Sequence, residues 1–223
     1  MSSNQLIITD KQWQLLVDRV KSHQQSNEFR YLISVAGVPG AGKTTFANKM
    51  AMELSKQVAP TMVLSQDGFH LYRSELQAMP NAEEAIRRRG APFTFNAKAF
   101  VSLVSQLKDK SNTVKAPSFD HKVKDPIEDD IVIDPSVDIV IIEGNYTSLK
   151  DESWADLSLF VDDTWFISTP ESVVRSRIIK RHLEAGIANN EEEAIERADG
   201  SDLQNAKYII ENSKITNVSI LAE

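Results

Sequence analysis

The chain has 223 residues, 32 of them acidic and 25 basic, for a formal net charge of -7. That length accommodates one α/β domain with a sizeable core and argues against a second full domain. The acidic balance disfavours general nucleic-acid binding, and the absence of cysteine excludes disulfides and thiolate metal sites.

In chain order, Met1 to Gln5 shows no basic stretch leading into an apolar run, so no signal peptide is expected and a cytoplasmic protein is. No apolar run approaches the ~18 residues of a membrane span. Thr9, Asp10, Lys11 and Gln12 spell a capping box before Trp13, Leu15, Leu16, Val17 and Val20. This predicts a helix to about Ser22, followed by a polar link at Gln24 to Asn27. Residues 1–29 then form an N-terminal helix and link, and residues 30–223 form the core.

Tyr31 to Ala36 is a short apolar run of strand character, and Phe46 to Leu54 alternates at helical spacing. Between them, Gly37 to Thr45 fits G-x-x-x-x-G-K-[ST], with Gly37, Gly42, Lys43 and Thr44 in the fixed places. Strand, loop and helix in that order are the context the motif requires. Glycines let the backbone N–H groups curl toward a phosphate chain, and the following helix adds its positive dipole end. Lys43 reaches the β- and γ-phosphates in such a loop, and the Thr44 hydroxyl ligates Mg²⁺.

Thr61 to Ser65 reads as a second buried strand, ending in Gln66-Asp67-Gly68-Phe69-His70. An acid at the end of a parallel strand points into the crevice where open α/β folds bind ligands. Asn81 with Glu84 predicts a helix start, and Arg87-Arg88-Arg89-Gly90 its end. The three arginines there either complement the helix dipole or form part of a substrate site. Asn96 is expected to cap a helix with Phe100, Leu103, Val104 and Leu107 on its apolar stripe. Thr113 to Pro117 reads as an edge strand, Lys122 to Asp130 as a loop, and Asp130 to Asp134 as a further strand.

Ile139 to Ile142 are four consecutive β-branched residues, the mark of a strand buried on both faces, and Glu143 ends it. A P-loop enzyme needs a carboxylate at a neighbouring strand end to organise Mg²⁺. Leu157 to Val161 and Trp165 to Ser168 read as the next strand region. Thr169 and Pro170 open a helix carrying Arg175, Arg177, Lys180, Arg181 and His182, with Arg177 and Arg181 on one face. Gly186 stops it. Asn190 and Glu193 open another helix running toward Ile210, and Asn217 to Leu221 can add a last strand.

Together these residues resemble the phosphoribulokinase/uridine kinase/pantothenate kinase family of P-loop small-molecule kinases, from about Tyr31 to the C-terminus. The likeness rests on Gly37 to Thr45, Asp67 to His70, Gly90 to Phe95, Pro117 to His121, Ile142 to Tyr146, the Arg177/Arg181 helix, and Asp202 with Asn205 and Ala206. The pairing of Asp67-Gly68-Phe69-His70 with Glu143-Gly144-Asn145-Tyr146 looks closest to uridine-kinase-like and fructokinase-like members and to pantothenate kinase. It departs from the family pattern at Asn96, where Asp is frequent, and at Phe119-Asp120-His121, where nucleoside kinases carry a Tyr-Asp pair.

The resemblance implies an α/β fold: a P-loop NTPase three-layer sandwich with a mainly parallel five-stranded core sheet and a helical lid at about residues 171–205. It implies ATP and Mg²⁺, and γ-phosphoryl transfer to a hydroxyl of a nucleoside, sugar or pantothenate-like metabolite. The nucleotide would be held by Gly37, Gly40, Ala41, Gly42, Lys43, Thr44 and Thr45. Asp67 would be the general base, with Thr44, Asp67 and Glu143 at the metal. Lys43, Arg177 and Arg181 would balance charge on the moving phosphoryl group. The acceptor pocket is expected among Phe69, His70, Tyr72, Arg89, Phe119, His121, Asn145 and Tyr146. The expected partner is thus a small-molecule hydroxyl acceptor, with no nucleic acid and no membrane, and a homodimer is left open. The alternative is a P-loop ATPase serving as a nucleotide-dependent switch or assembly factor. The GTPase motifs D-x-x-G and N-K-x-D are absent, the nearest being Asn48-Lys49-Met50-Ala51.

Overall fold

The computed structural model describes residues 10–24, 28–120 and 122–222. Thr9, most of the predicted polar link and His121 lie outside the described residues. Helix α1 (Asp10–His23) buries Trp13, Leu16, Val17 and Val20, the residues at helical spacing, and leaves Leu15 exposed. Trp13 stacks on Phe46 with ring centroids 5.1 Å apart, which pins α1 to the helix after the P-loop.

Strand β1 (Tyr31–Gly37) leads through that loop into α2 (Lys43–Gln57), and β2 (Thr61–Ser65) follows. A 3₁₀ turn at Gln66–Phe69 carries Asp67. Two short helices, α3 (Arg73–Ala78) and α4 (Ala82–Arg87), cross to a 3₁₀ turn at Pro92–Thr94 and to α5 (Ala97–Leu107). The Asn96 side chain accepts from the Ala99 N–H at 3.0 Å, as its N-cap position requires. Asn81 makes no such cap bond, and its amide donates to Glu84 instead.

Strands β3 (Val114–Asp120) and β4 (Asp125–Ile133) form a separate antiparallel hairpin, with a register shift between Ala116 and Ser118. Most of the stretch expected to be a loop, Lys122 to Asp130, is therefore strand. It escaped notice because β4 faces solvent over much of its length, so no hydrophobic alternation marks it.

Strand β5 (Ile139–Gly144) is followed by α6 (Glu152–Ala155), a 3₁₀ turn at Asp156–Leu159, and β6 (Asp163–Ser168). The first half of the predicted strand region, Leu157 to Val161, is thus that turn: Leu157 is buried while Leu159 is exposed. A short apolar run does not distinguish strand from helical turn. Helix α7 (Glu171–Glu184) begins after Pro170 at the N-cap, and the Thr169 hydroxyl donates to the Ala41 carbonyl at 3.2 Å rather than capping the helix. Helix α8 (Glu191–Arg197), with Asn190 accepting from the Glu193 N–H, runs through a π-helical turn at Ala198–Asp202 into α9 (Leu203–Asn212). Strand β7 (Val218–Leu221) ends the sheet.

The five-stranded sheet has the order β2-β5-β1-β6-β7 and is parallel throughout. Every residue of β1 and β5 is buried, because helices cover both faces. Register decides what meets at the top of the sheet. Glu143 lies opposite Val35 on one side and Ser65 on the other. The chain ends that carry the P-loop, Glu143 and Asp67 are therefore adjacent.

Candidate active site

The loop after β1 is shaped by glycine at two left-handed positions, Gly40 (φ 78°) and Gly42 (φ 90°), which residues with a Cβ rarely adopt. Gly40 has a second role. A Cβ there would meet Ile178 at 3.0 Å and the Val174 carbonyl at 3.1 Å, so glycine lets α7 close onto the loop. Helix α2 opens with no side-chain cap and no acid in its first turn. Its free N–H groups and positive dipole end are thus left for an external anion. Ala41 is buried beneath the loop, while Thr44 and Thr45 are exposed in that first turn.

Lys43 is 8% exposed. Its ammonium donates to the Val38 carbonyl at 3.0 Å and to the Asn145 side-chain oxygen at 2.5 Å. Burial pulls its pKa down from 10.5 to about 8, against the opposing pull of Glu143 and Asp67. The Thr44 hydroxyl donates to Glu143 Oε1 at 3.2 Å. Glu143 is 3% exposed. Burial holds its carboxyl above the usual range and the Asp67 charge adds to this, while Lys43 and hydrogen bonds with Ser65 and Thr44 oppose it. The Ser65 hydroxyl also accepts from the Asp67 N–H at 3.3 Å, so one serine ties the two acids together. That serine was not singled out in the sequence; only its place as the last residue of β2 marks it.

Thr44, Glu143 and the half-buried Asp67 offer oxygen donors at this end of the sheet, beside the buried cation Lys43. Oxygen donors suit a hard divalent cation such as Mg²⁺. Among the described residues no cluster of three or more His, Cys, Asp or Glu side chains forms a metal cage.

Of the two α7 arginines singled out, Arg177 reaches the loop. Arg177 donates to the Gly40 carbonyl at 3.4 Å. Arg181 lies near enough to Lys43 to depress its pKa, and pairs at 3.8 Å with Asp202. The same Asp202 holds His182 at 2.7 Å, which fastens α7 to the π-helical turn.

The residues expected around the acceptor take several positions. His70 lies between the rings of Phe95 (3.9 Å) and Phe119 (4.7 Å), and its Nδ1 meets the Asp67 carbonyl at 2.8 Å. Phe69 is in the core, edge-on to Phe100. Tyr72 donates to Glu128 at 2.7 Å. Arg89 clamps the hairpin through the Leu71 and Lys124 carbonyls and Asp125, under the Phe119 ring. Asn145 is on Lys43. Tyr146 is fully buried, its hydroxyl donating to the Gly90 carbonyl and its N–H to Gln66 Oε1 at 2.9 Å. A Cβ at Gly144 would strike that Gln66 oxygen at 2.2 Å, which is why glycine follows Glu143.

A sequence model of the phosphoribulokinase/uridine kinase family matches residues 32–182. An Aspergillus versicolor protein named ATP-dependent kinase-like protein notR' is 42% identical over 66% of this chain and 87% of its own. A Schizosaccharomyces pombe protein provisionally named a uridine kinase is 38% identical over 85% of this chain and 80% of its own. Among solved structures, a protein of Silicibacter sp. TM1040 provisionally described as a fructose transport system kinase superposes with a TM-score of 0.84 at 31% identity, covering 93% of this chain and 98% of that one. The P-loop, the aligned strand ends and the family match agree, and the chain belongs to the phosphoribulokinase/uridine kinase family of P-loop kinases.

Proposed function

We propose that this protein transfers the γ-phosphoryl group of ATP to a hydroxyl of a small metabolite. The observation that carries this reading is the register placing Ser65 beside Glu143 and Glu143 beside Val35. It brings Asp67, Glu143 and the P-loop lysine to one end of the sheet, which supports reading Asp67 as the proton acceptor and Glu143 as the acid that organises the metal.

In this mechanism Asp67 orients the acceptor hydroxyl and receives its proton as the oxygen–phosphorus bond forms and the bond to the ADP oxygen breaks. The transition state is loose, so positioning and charge neutralisation do most of the work. Lys43, Arg177 and Arg181 supply the positive charge. Thr44 and Glu143 would hold Mg²⁺, which when bound would supply positive charge against the phosphate oxygens. Helices α7 to α9 act as a lid that excludes water, with Arg177 against the loop and Arg181 one turn further along α7.

The test is an ATP-consumption screen over nucleosides, sugars and pantothenate-like alcohols, with each product confirmed by mass. ATP hydrolysis that no acceptor raises and that yields no phosphorylated product would favour the switch ATPase instead.

A further inference from the structure

Three consecutive arginines end α4, and the structure separates their roles. Arg87 points to solvent, and Arg89 is spent on two carbonyls and Asp125. Arg88 turns inward, lining a cavity of about 470 Å³ with Phe95, Trp154, Asn205 and Tyr208. That volume is within the range of small-metabolite sites.

The Arg88 guanidinium lacks the carboxylate pairing that Arg19 and Arg175 have. Arg19 and Arg175 each present the Nε/Nη2 edge to a carboxylate, Asp163 and Asp199, with two bonds of 2.6–3.0 Å. The same edge of Arg88 makes one bond of 3.3 Å, from Nη2 to the neutral Asn205 amide oxygen. Its Nε is buried and has no hydrogen-bond partner among the described residues; the Arg89 Nε is also unpartnered, but the Arg89 Nη groups are engaged by two carbonyls and Asp125, whereas Arg88 has only the Asn205 bond. Buried guanidinium donors are normally paired, and this edge matches a carboxylate or phosphate bidentately. Two acids also line the cavity. Asp151 accepts from the Tyr208 hydroxyl at 2.7 Å, Glu152 is exposed to solvent, and neither forms an ion pair with Arg88.

The cavity adjoins the proposed chemistry. Phe95 forms part of its wall and lies against His70 with the rings tilted, and His70 holds the Asp67 carbonyl. Tyr146, edge-on to Phe95 at 5.4 Å, lies within electrostatic reach of Arg88, Asp202 and Asp67 together. We propose that the acceptor alcohol carries an anionic group, carboxylate or phosphate, and that Arg88 with Asn205 receives it. This rests on the kinase reading and narrows it, away from neutral nucleosides and sugars.

The test titrates full-length protein, saturated with a non-hydrolysable ATP analogue and Mg²⁺ so that the P-loop is filled. The probes are glycerate, glycerol 3-phosphate and neutral glycerol. The readout is the Arg88 Nε–H NMR resonance, assigned by its loss in Arg88→Gln. The expected result is a saturable shift with glycerate or glycerol 3-phosphate and none with glycerol. Whichever anion shifts it identifies the group as carboxylate or phosphate. Arg88→Gln is expected to weaken binding of that anion about tenfold or more, with Arg88→Lys intermediate. An unmoved resonance, or equal response to glycerol, overturns the proposal, and this comparison needs only the wild-type fold. Because the readout is binding, it is independent of turnover. Loss of the kinase reading would instead show as no phosphorylated product from any acceptor.

Discussion

At the residue scale, Lys43 is a buried ammonium held by two neutral oxygens, with the compensating carboxylates one step further away. A phosphate chain replaces those partners with full negative charge. Binding then favours the protonated lysine and raises its pKa from about 8. ATP affinity should therefore fall as pH rises above about 8, approaching about tenfold per pH unit. Calorimetry in buffers of different ionisation enthalpy should show proton uptake on binding in that range. The nucleotide-free protein has the opposite trend. Its folded-state pKa lies below the unfolded value, so between about 8 and 10.5 the unfolded chain holds more protons. Lys43 thus makes stability rise with pH through that window. Asp67 is tested by Asp67→Asn, which keeps the shape and loses the base. That variant should bind ATP normally and lose about 10²–10⁴-fold in kcat. Near-normal turnover on the identified acceptor would remove Asp67 from the proton transfer.

At the element scale, the turn carrying Asp67 is seated on the β3–β4 hairpin through a glycine. A Cβ at Gly68 would lie 2.0 Å from the Pro117 carbonyl oxygen, a backbone atom that cannot swing away. Gly68→Ala should push the hairpin off the turn, cost about 1–3 kcal/mol, and lower the melting temperature. It should also depress kcat more than it changes ATP affinity, since Asp67 is the neighbouring residue. Steady-state kinetics beside a thermal melt would separate the two effects. On α7, Arg177→Ala should reduce kcat by about 10²–10³-fold, the scale of one lost electrostatic contact to the transition state, with the melting temperature nearly unchanged. An unaltered kcat would mean that α7 merely covers the loop.

At the scale of the whole molecule, Arg30 gathers segments distant in sequence. It is fully buried just before β1, and its guanidinium donates to the carbonyls of Leu107, Asp109, Asn112, Asp134 and Val137. Burial depresses its pKa, opposed by Asp109, Asp134 and Asp138. Arg30→Met should orphan several of those carbonyls and cost about 3–5 kcal/mol, measurable by urea denaturation. The site lies at the opposite end of β1, so ATP affinity in the folded fraction should not change.

The sequence by itself determined the parallel core, the P-loop and the strand-end positions of Asp67 and Glu143. Those features are local: β-branched runs, glycines at fixed spacing, and acids that end apolar strands. Capping at Asn96 and Asn190 was legible for the same reason. Tertiary structure alone decided the rest. The β3–β4 hairpin pairs along a solvated strand without a hydrophobic pattern. Asn145 meets Lys43 across 102 residues. Three arginines in a row received three different environments from the elements packed around α4. Whether a polar side chain serves the fold or a ligand depends on which partners reach it, and adjacency in sequence does not specify them.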